Sequence, residues 1–163
     1  MIYVNGDVYE GGWKDGVKHG FGVYTYPSGN KYEGDWRNDL KEGQGTFYYN
    51  NGEKYTGNFI ADRKNGMGSY SYRDGTLYSG TFQDDVKQGS GELKYPDGSS
   101  YIGEFVNGKR HGRGVFRYSN GDVYEGDFYE NLRQGMGKYV VKGKTSIEGR
   151  WQADKPVDAK KVA

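Results

Sequence analysis

The side chains able to do chemistry in this sequence are two histidines, many carboxylates, one recurring basic position and an abundance of glycines and aromatic rings. His19 and His111 are the only histidines, and cysteine is absent. An imidazole can act as a base or hold a metal. These two occupy the same column of a repeating pattern, eight strands apart and so separated by roughly 38 Å at ordinary strand spacing. They cannot share an ion, and both are expected to be loop residues. No motif sets a serine or threonine beside either of them, so no activated nucleophile emerges. Without thiols there is neither a disulfide framework nor a thiolate zinc site. The glycine-rich segments resemble phosphate cradles only superficially, because such a cradle needs its glycines between a strand and a helix N-terminus. Here they lie inside strands and recur throughout. Most carboxylates follow a solvent-facing period and define no acid–base pair. The expectation is a protein that is not an enzyme, with no metal and no cofactor.

Two patterns remain that could bind something. The first is basic: Lys18, Lys41, Lys64, Lys87, Arg110 and Arg133 recur at one position, expected in a loop. Stacked hairpins would set them along one edge about 10 Å apart, as an anion- or lipid-binding row. Asp39, Asp62 and Asp85 nearby would dilute its field. The second is aromatic: Tyr9, Trp13, Tyr26, Tyr32, Trp36, Tyr49, Tyr55, Phe59, Tyr72, Tyr78, Phe82, Tyr95, Tyr101, Phe105, Tyr118, Tyr124 and Phe128 should share one face. That face is expected to dock protein partners, an amphipathic helix being one plausible ligand, because a single sheet cannot hide one side from water and large exposed apolar patches mark interaction sites.

Both patterns are products of one repeat. A tyrosine opens each 23-residue unit at Tyr9, Tyr32, Tyr55, Tyr78, Tyr101 and Tyr124, with Ile147 in the same column of a partial last unit. Glycine follows two residues later, as Gly11, Gly34, Gly57, Gly80, Gly103, Gly126 and Gly149, and a large ring two after that. The second half carries glycine pairs, from Gly20/Gly22 to Gly135/Gly137, and then a large apolar residue and usually a tyrosine. Spacing by two places these residues on one face of a strand. Turn chemistry punctuates the pattern, with Asn5-Gly6, Ser28-Gly29, Asn51-Gly52, Asp74-Gly75, Asp97-Gly98 and Asn120-Gly121 between units. Within units a second loop carries Gly16, Asp39, Asp62, Asp85, Gly108 or Asn131, residue types that accept a left-handed backbone. Short connections force antiparallel neighbours. The expected fold is all-β: an elongated antiparallel meander of β-hairpin repeats in an open, twisted single sheet, solenoid-like. The array should span residues 1–151, with 152–163 as a C-terminal tail, disordered or folded into a short capping helix. In the sixth unit the turn glycine moves to Gly143, which leaves its last turn unspecified.

Composition sets the class. The 163 residues are 33% hydrophobic and 28% charged, with 29 glycines and 17 tyrosines. Scarce aliphatics would suggest disorder, but 17% aromatic residues in strict columns do not. The net charge of +1 gives no bulk electrostatic case for nucleic acid. No apolar run approaches the ~20 residues of a membrane-spanning helix, and Met1–Gly6 lacks the features of a signal peptide. A cytoplasmic protein is the expectation.

The units Tyr9-Glu10-Gly11-Gly12-Trp13-Lys14-Asp15-Gly16 and Tyr101-Ile102-Gly103-Glu104-Phe105-Val106-Asn107-Gly108, each followed by His-Gly-x-Gly, resemble MORN (membrane occupation and recognition nexus) repeats. The likeness covers roughly residues 1 to 151, with phenylalanine replacing tryptophan in units three to six and Asp or Asn replacing the loop glycine in four. It implies a scaffold or adaptor in a cytoskeletal, ciliary or flagellar assembly, as in radial-spoke heads, or at the membrane-proximal cortex. It also implies protein partners and a homodimer through terminal repeats. Other family members resemble this chain while contacting phosphoinositide membranes or forming the regulatory region of a larger enzyme. Fold analogy does not choose among these.

Overall fold

The computed structural model describes residues 1–162, which form fourteen strands and no helix. In chain order they are β1 (Val8–Lys14), β2 (Val17–Thr25), β3 (Lys31–Arg37), β4 (Leu40–Tyr48), β5 (Lys54–Ile60), β6 (Arg63–Ser71), β7 (Leu77–Gln83), β8 (Val86–Lys94), β9 (Ser100–Val106), β10 (Lys109–Arg117), β11 (Val123–Tyr129), β12 (Leu132–Val140), β13 (Ser146–Gln152) and β14 (Lys155–Val162). The chain divides into two compact units, one ending at Asp85 and holding β1–β7, the other starting at Val86 and holding β8–β14. Within each unit every strand pairs antiparallel with its neighbours in sequence. The protein is thus an all-β antiparallel meander, as the spacing predicts.

Two turn types alternate. Between units, a three-residue loop such as Pro27-Ser28-Gly29 closes with Gly29 N–H donating to the Tyr26 carbonyl at 3.0 Å. Gly29 takes φ +90° there, the glycine position of a three-residue hairpin loop. Asn51, Asp74, Asp97 and Asn120 side chains accept the N–H two residues on, a local bond that pre-folds the turn. The sixth unit keeps the closing bond, from Lys144 N–H to the Val141 carbonyl at 2.9 Å, with Gly143 at φ +69°.

Inside each unit the connection is shorter than the sequence suggests. Asn38-Asp39, Ala61-Asp62 and Glu130-Asn131 are two-residue turns with both φ values positive, from 45° to 75°. This is the geometry that matches strand twist in a tight hairpin. The second strand of the hairpin therefore starts at once, and residues expected in a loop are strand residues. The basic column, at Lys18, Lys41, Lys64, Lys87, Arg110 and Arg133, occupies the second residue of β2, β4, β6, β8, β10 and β12, with His19 in β2 and His111 in β10.

The same hairpins contain a register shift. Gly34 faces Gly45 and Trp36 faces Lys41, so two steps on β3 match four on β4. The extra residues of β4 are absorbed at Gly43, φ +105°. The first glycine of each pair is therefore a bulge residue rather than a floor for a ring. The second glycine is the floor. A Cβ on Gly45 would stand 2.4 Å from the Tyr32 hydroxyl and 2.5 Å from its ring. Tyr32 lies flat over the Gly34–Gly45 pair and donates its hydroxyl to the Asp35 carbonyl at 2.8 Å. Asp35 sits at the register shift, where its carbonyl is released from the ladder. Tyr9, Tyr55, Tyr101 and Tyr124 repeat this arrangement with Gly12, Asn58, Glu104 and Asp127.

These tyrosines are the core. Tyr9, Tyr32, Tyr55, Tyr78, Tyr101 and Tyr124 are all 0% exposed. Each is walled edge-on by rings: Tyr32 meets Trp36 at 5.2 Å and 90° and Phe59 at 5.1 Å and 84°. Such perpendicular pairs contribute about 0.5–1.5 kcal/mol beyond burial. Trp36 fixes its own orientation by donating Nε1–H to the Gly22 carbonyl at 3.2 Å.

The C-terminal segment corrects the expected disordered tail or helix. Residues Lys155–Val162 form strand β14, paired along β13 with Ala159 opposite Gly149. Ala153 and Asp154, at φ 45° and 68°, make the same two-residue turn as the other units. The final residue of the expected tail, Ala163, lies outside the described residues.

If the flat tyrosine holds the fold, Gly45→Ala should lower stability by about 3 kcal/mol, since the ring must leave its floor. Gly52→Ala, at φ +90° with open space around it, should cost only about 1 kcal/mol. Urea unfolding followed by tryptophan fluorescence compares the two, and equal losses would remove Tyr32 from its assigned role.

Candidate functional site: an aromatic groove with embedded cations

The predicted aromatic face exists, but its members divide into core and surface. Tyr9, Tyr32, Tyr55, Tyr78, Tyr101 and Tyr124 are sealed, and Trp36, Phe59, Phe82, Phe105 and Phe128 are at most 6% exposed. Those eleven cannot meet a partner without unfolding. Sequence reasoning placed them on the correct side of the sheet but could not see that rings pack two deep above a glycine floor. What stays accessible is Trp13, 42% exposed, and the half-buried row Tyr26, Tyr49, Tyr72, Tyr95 and Tyr118. Beside that row stand rings that the site expectation omitted: Tyr24, Phe47, Tyr70, Phe116 and Tyr139, also half-buried. Their signal was present, two residues ahead of the final tyrosine of each unit and hence on its face. Within a unit the two rows pack directly, Tyr24 to Tyr26 at 4.7 Å, Phe47 to Tyr49 at 4.7 Å and Phe116 to Tyr118 at 4.6 Å. Successive units continue the contact, Tyr26 to Phe47 at 5.9 Å and Tyr118 to Tyr139 at 5.5 Å.

The basic column does not line a solvated loop edge. Its side chains lie on the aromatic face with their heads drawn in among the rings. Lys18 Nζ stands 5.2–5.9 Å from the ring centres of Tyr3, Tyr9, Tyr24 and Trp36. Lys41 packs likewise on Tyr26, Tyr32 and Phe47, and Arg133 on Tyr124, Tyr139 and Trp151. Only 14% of the Lys18 side chain and 12% of that of Lys41 remain exposed. Ring faces attract such cations, and each is further held by the turn of the next unit. Asp39 Oδ1 accepts Lys18 N–H at 2.8 Å and pairs with its ammonium at 3.1 Å, while Asp39 N–H donates to the Lys18 carbonyl at 3.1 Å. Asp62 clasps Lys41, Asp85 clasps Lys64 and Asp154 clasps Arg133 in the same way through the backbone. At Lys87 the clasp is the Gly108 N–H. At Arg110 it is a neutral side chain, Asn131, whose Oδ1 accepts Arg110 N–H at 2.9 Å.

Three tyrosines of this second row are paired with acids. The Tyr70 hydroxyl donates to Glu53 at 2.6 Å and Tyr139 to Asp122 at 2.7 Å, with an equivalent bond from Tyr24 to Asp7. The Tyr139 hydroxyl and the Lys142 N–H hold the Asp122 carboxyl below its ordinary range. Burial, and then the bond to Asp122, push Tyr139 up to about 12. The backbone N–H and ammonium of Lys18 lower Asp39 in turn. Among the described residues, no cluster of three or more His, Asp or Glu groups could hold a metal ion. His111 packs against Tyr129, ring centres 5.0 Å apart and tilted by 50°.

This geometry can be set beside known proteins. Residues 9–31, 32–54, 55–77, 78–100, 101–123 and 124–140 each match the model of the MORN repeat. The chain belongs to the MORN repeat family. No curated protein matches this MORN array. Among solved structures it is similar to the TCP domain of SAS-4 from Drosophila melanogaster, in complex with a proline-rich motif of Ana2. That match has 16% identity and a TM-score of 0.51, covering 79% of this chain and 71% of that one. The TCP10 domain of CPAP from Danio rerio, as its E1021V mutant, matches at 18% identity and a TM-score of 0.37, over 95% and 86% of the two chains. At 16% identity the likeness to the SAS-4 domain concerns the sheet fold alone.

Titration should expose the network from both ends. The lowered carboxyls Asp39, Glu53 and Asp122 contribute stability that is complete above their unfolded values and lost as pH falls through the depressed folded ones. The core tyrosines Tyr78 and Tyr124, each raised to about 12, contribute stability present below pH 10 and lost as pH climbs toward 12. Thermal midpoints should therefore form a plateau from about pH 5 to 10 with losses on either side. Unchanged midpoints at pH 11, alongside free tyrosine ionisation at 295 nm, would contradict the burial.

Proposed function

We propose that this MORN array is a non-catalytic scaffold that docks a protein segment along its aromatic groove, in the cytoplasm and within a cytoskeletal, ciliary or flagellar assembly. The observation that carries the docking reading is the double row of half-buried rings in each compact unit, Tyr24–Tyr26 and Phe47–Tyr49 in the first and Phe116–Tyr118 in the second. Packed against one another and based on a sealed core, these rings supply contact area at low entropic cost. Repeat arrays commonly bind partners along such extended surfaces. A protein that shares the sheet fold, the SAS-4 TCP domain, carries a proline-rich motif of Ana2 in its structure. Aromatic-lined grooves suit such extended segments as well as amphipathic helices. The alternative of a phosphoinositide surface has less support, because the ammonium groups of Lys18 and Lys41 point into ring cages and face aspartates.

A phage-displayed library of random peptides, selected on the immobilised full chain, tests the docking reading. Enrichment of defined peptide families is expected, with binding lost at least tenfold in a Tyr26→Ser, Tyr49→Ser, Tyr118→Ser variant whose unfolding remains cooperative. Failure to enrich any family, or equal binding by the variant, would reject the groove as a docking surface.

A further inference from the structure

The six clasps along the basic column differ in kind: at Lys87 the clasp is the Gly108 backbone, and at Arg110 it is a neutral side chain. Asp39, Asp62, Asp85 and Asp154 each bring a carboxylate to the basic residue of the preceding repeat. Arg110 is met by Asn131, which satisfies its backbone N–H at 2.9 Å and takes one guanidinium N–H on its carbonyl at 2.8 Å, but supplies no charge. Arg110 Nε is buried with no hydrogen-bond partner. A guanidinium carries five donors in a fixed fork, so leaving one buried and unpaired costs free energy that a suitable acceptor nearby would recover.

Arg110 does not stand alone. It opens onto a cleft of about 290 Å³ that it shares with Phe116, Tyr118, Asn131, Arg133 and Asp154. The cleft holds two guanidiniums against one carboxylate, and that carboxylate is committed: Asp154 Oδ1 receives both the Arg133 N–H at 2.9 Å and its Nε–H at 3.2 Å. The nearest acid on the neighbouring turn, Glu130, pairs with Lys109 at 3.5 Å. The cleft therefore keeps a net positive charge in partly desolvated, ring-walled surroundings, where a charge-assisted bond is stronger than in water. Tyr118 and Phe116, at its rim, belong to the half-buried double row that forms the groove.

We propose that this cleft is a subsite for one acidic side chain of the docked protein segment. An Asp or Glu carboxylate enters between Arg110 and Arg133 and supplies the negative charge that Asp39, Asp62, Asp85 and Asp154 supply in their own repeats. The segment's backbone lies over Phe116 and Tyr118. The inference rests on the docking reading of the groove and adds to it the partner's register: an acidic residue fixed at the fifth repeat, with apolar or proline-like residues over the tyrosine rows.

The peptide library also tests this subsite. Families enriched on the wild-type chain should share an Asp or Glu at one fixed position, and its replacement by Asn or Gln in a synthetic peptide should weaken binding about tenfold. Arg110→Gln should erase that discrimination while leaving part of the binding through the tyrosines. Asn131→Asp, which installs the clasp of the other repeats, should also erase it and should keep or raise the thermal midpoint, an outcome that loss of folding cannot mimic. Enriched families without a fixed acid, or an acid preference that survives both substitutions, would overturn the subsite and leave the docking groove standing. Absence of any enriched family would reject groove and subsite together. If phosphatidylcholine vesicles containing phosphatidylinositol bisphosphate bound the wild type and not Arg110→Gln, and the peptides showed no acid preference, the cleft would belong to a membrane contact instead.

Discussion

Everything in this fold depends on a tyrosine lying flat across two glycines. A single sheet has no second layer to bury a core against, and a side chain standing upright from a strand would leave its ring in water. The glycine pair, Gly34 opposite Gly45 for instance, opens a floor low enough for the Tyr32 ring to lie within van der Waals reach of the backbone. The hydroxyl then needs a partner, because a buried unpaired donor is costly. The register shift next to the pair frees the Asp35 carbonyl to be that partner. Floor, bulge and hydroxyl bond are one device, and it recurs with the repeat.

Once the tyrosines are down, the next rings have a place to stand. Trp36 and Phe59 wall Tyr32 on both sides edge-on, each ring belonging at once to its own repeat and to the neighbour's core. The basic residues fill the remaining gaps with aliphatic stems and leave a cation over the ring faces. A charge in that position must be answered, and at Lys18, Lys41, Lys64 and Arg133 the turn of the following repeat answers it with an aspartate that also hydrogen-bonds the strand. The clasp therefore joins repeat to repeat through backbone, charge and ring contacts together, so its members should not contribute additively. It also explains why a row of lysines need not be a binding edge. The charges are largely spent inside the array, and at Arg110, where the clasp is the neutral Asn131, a buried guanidinium nitrogen is left without a partner.

A core made this way is thin, and its outer rings stay half wet. That exposure is inherent in a single sheet rather than a local defect, and it converts a stability problem into a surface of regularly spaced tyrosines and phenylalanines. Repetition fixes the pitch of that surface, while small departures from the repeat consensus give individual repeats their own chemistry. Asn131 in place of aspartate is such a departure. It changes no strand and no turn angle class, yet it decides whether one guanidinium is neutralised from within.

Much of this was legible in the residues. A strict period, spacing by two and turn pairs such as Asn51-Gly52 are local properties, and local properties dictate strands, hairpins and a meander. The face shared by the tyrosine and glycine columns, and the family itself, followed from them. Three things did not. The two-residue turn moved Lys18 and His19 from a loop into a strand, because turn length depends on backbone angles that Ala61 and Glu130 do not advertise. The strand β14 appeared only through its pairing with β13, since Lys155–Val162 has lost the aromatic signature and sets Ala159, one residue out of the repeat's register, opposite Gly149. The division of rings into sealed and exposed, and of cations into clasped and uncommitted, came from how far each side chain reaches across its neighbours. Sequence spacing determines which face a residue occupies. Depth on that face, and the charge that meets it there, depend on residues some twenty positions away, and only their packing decides.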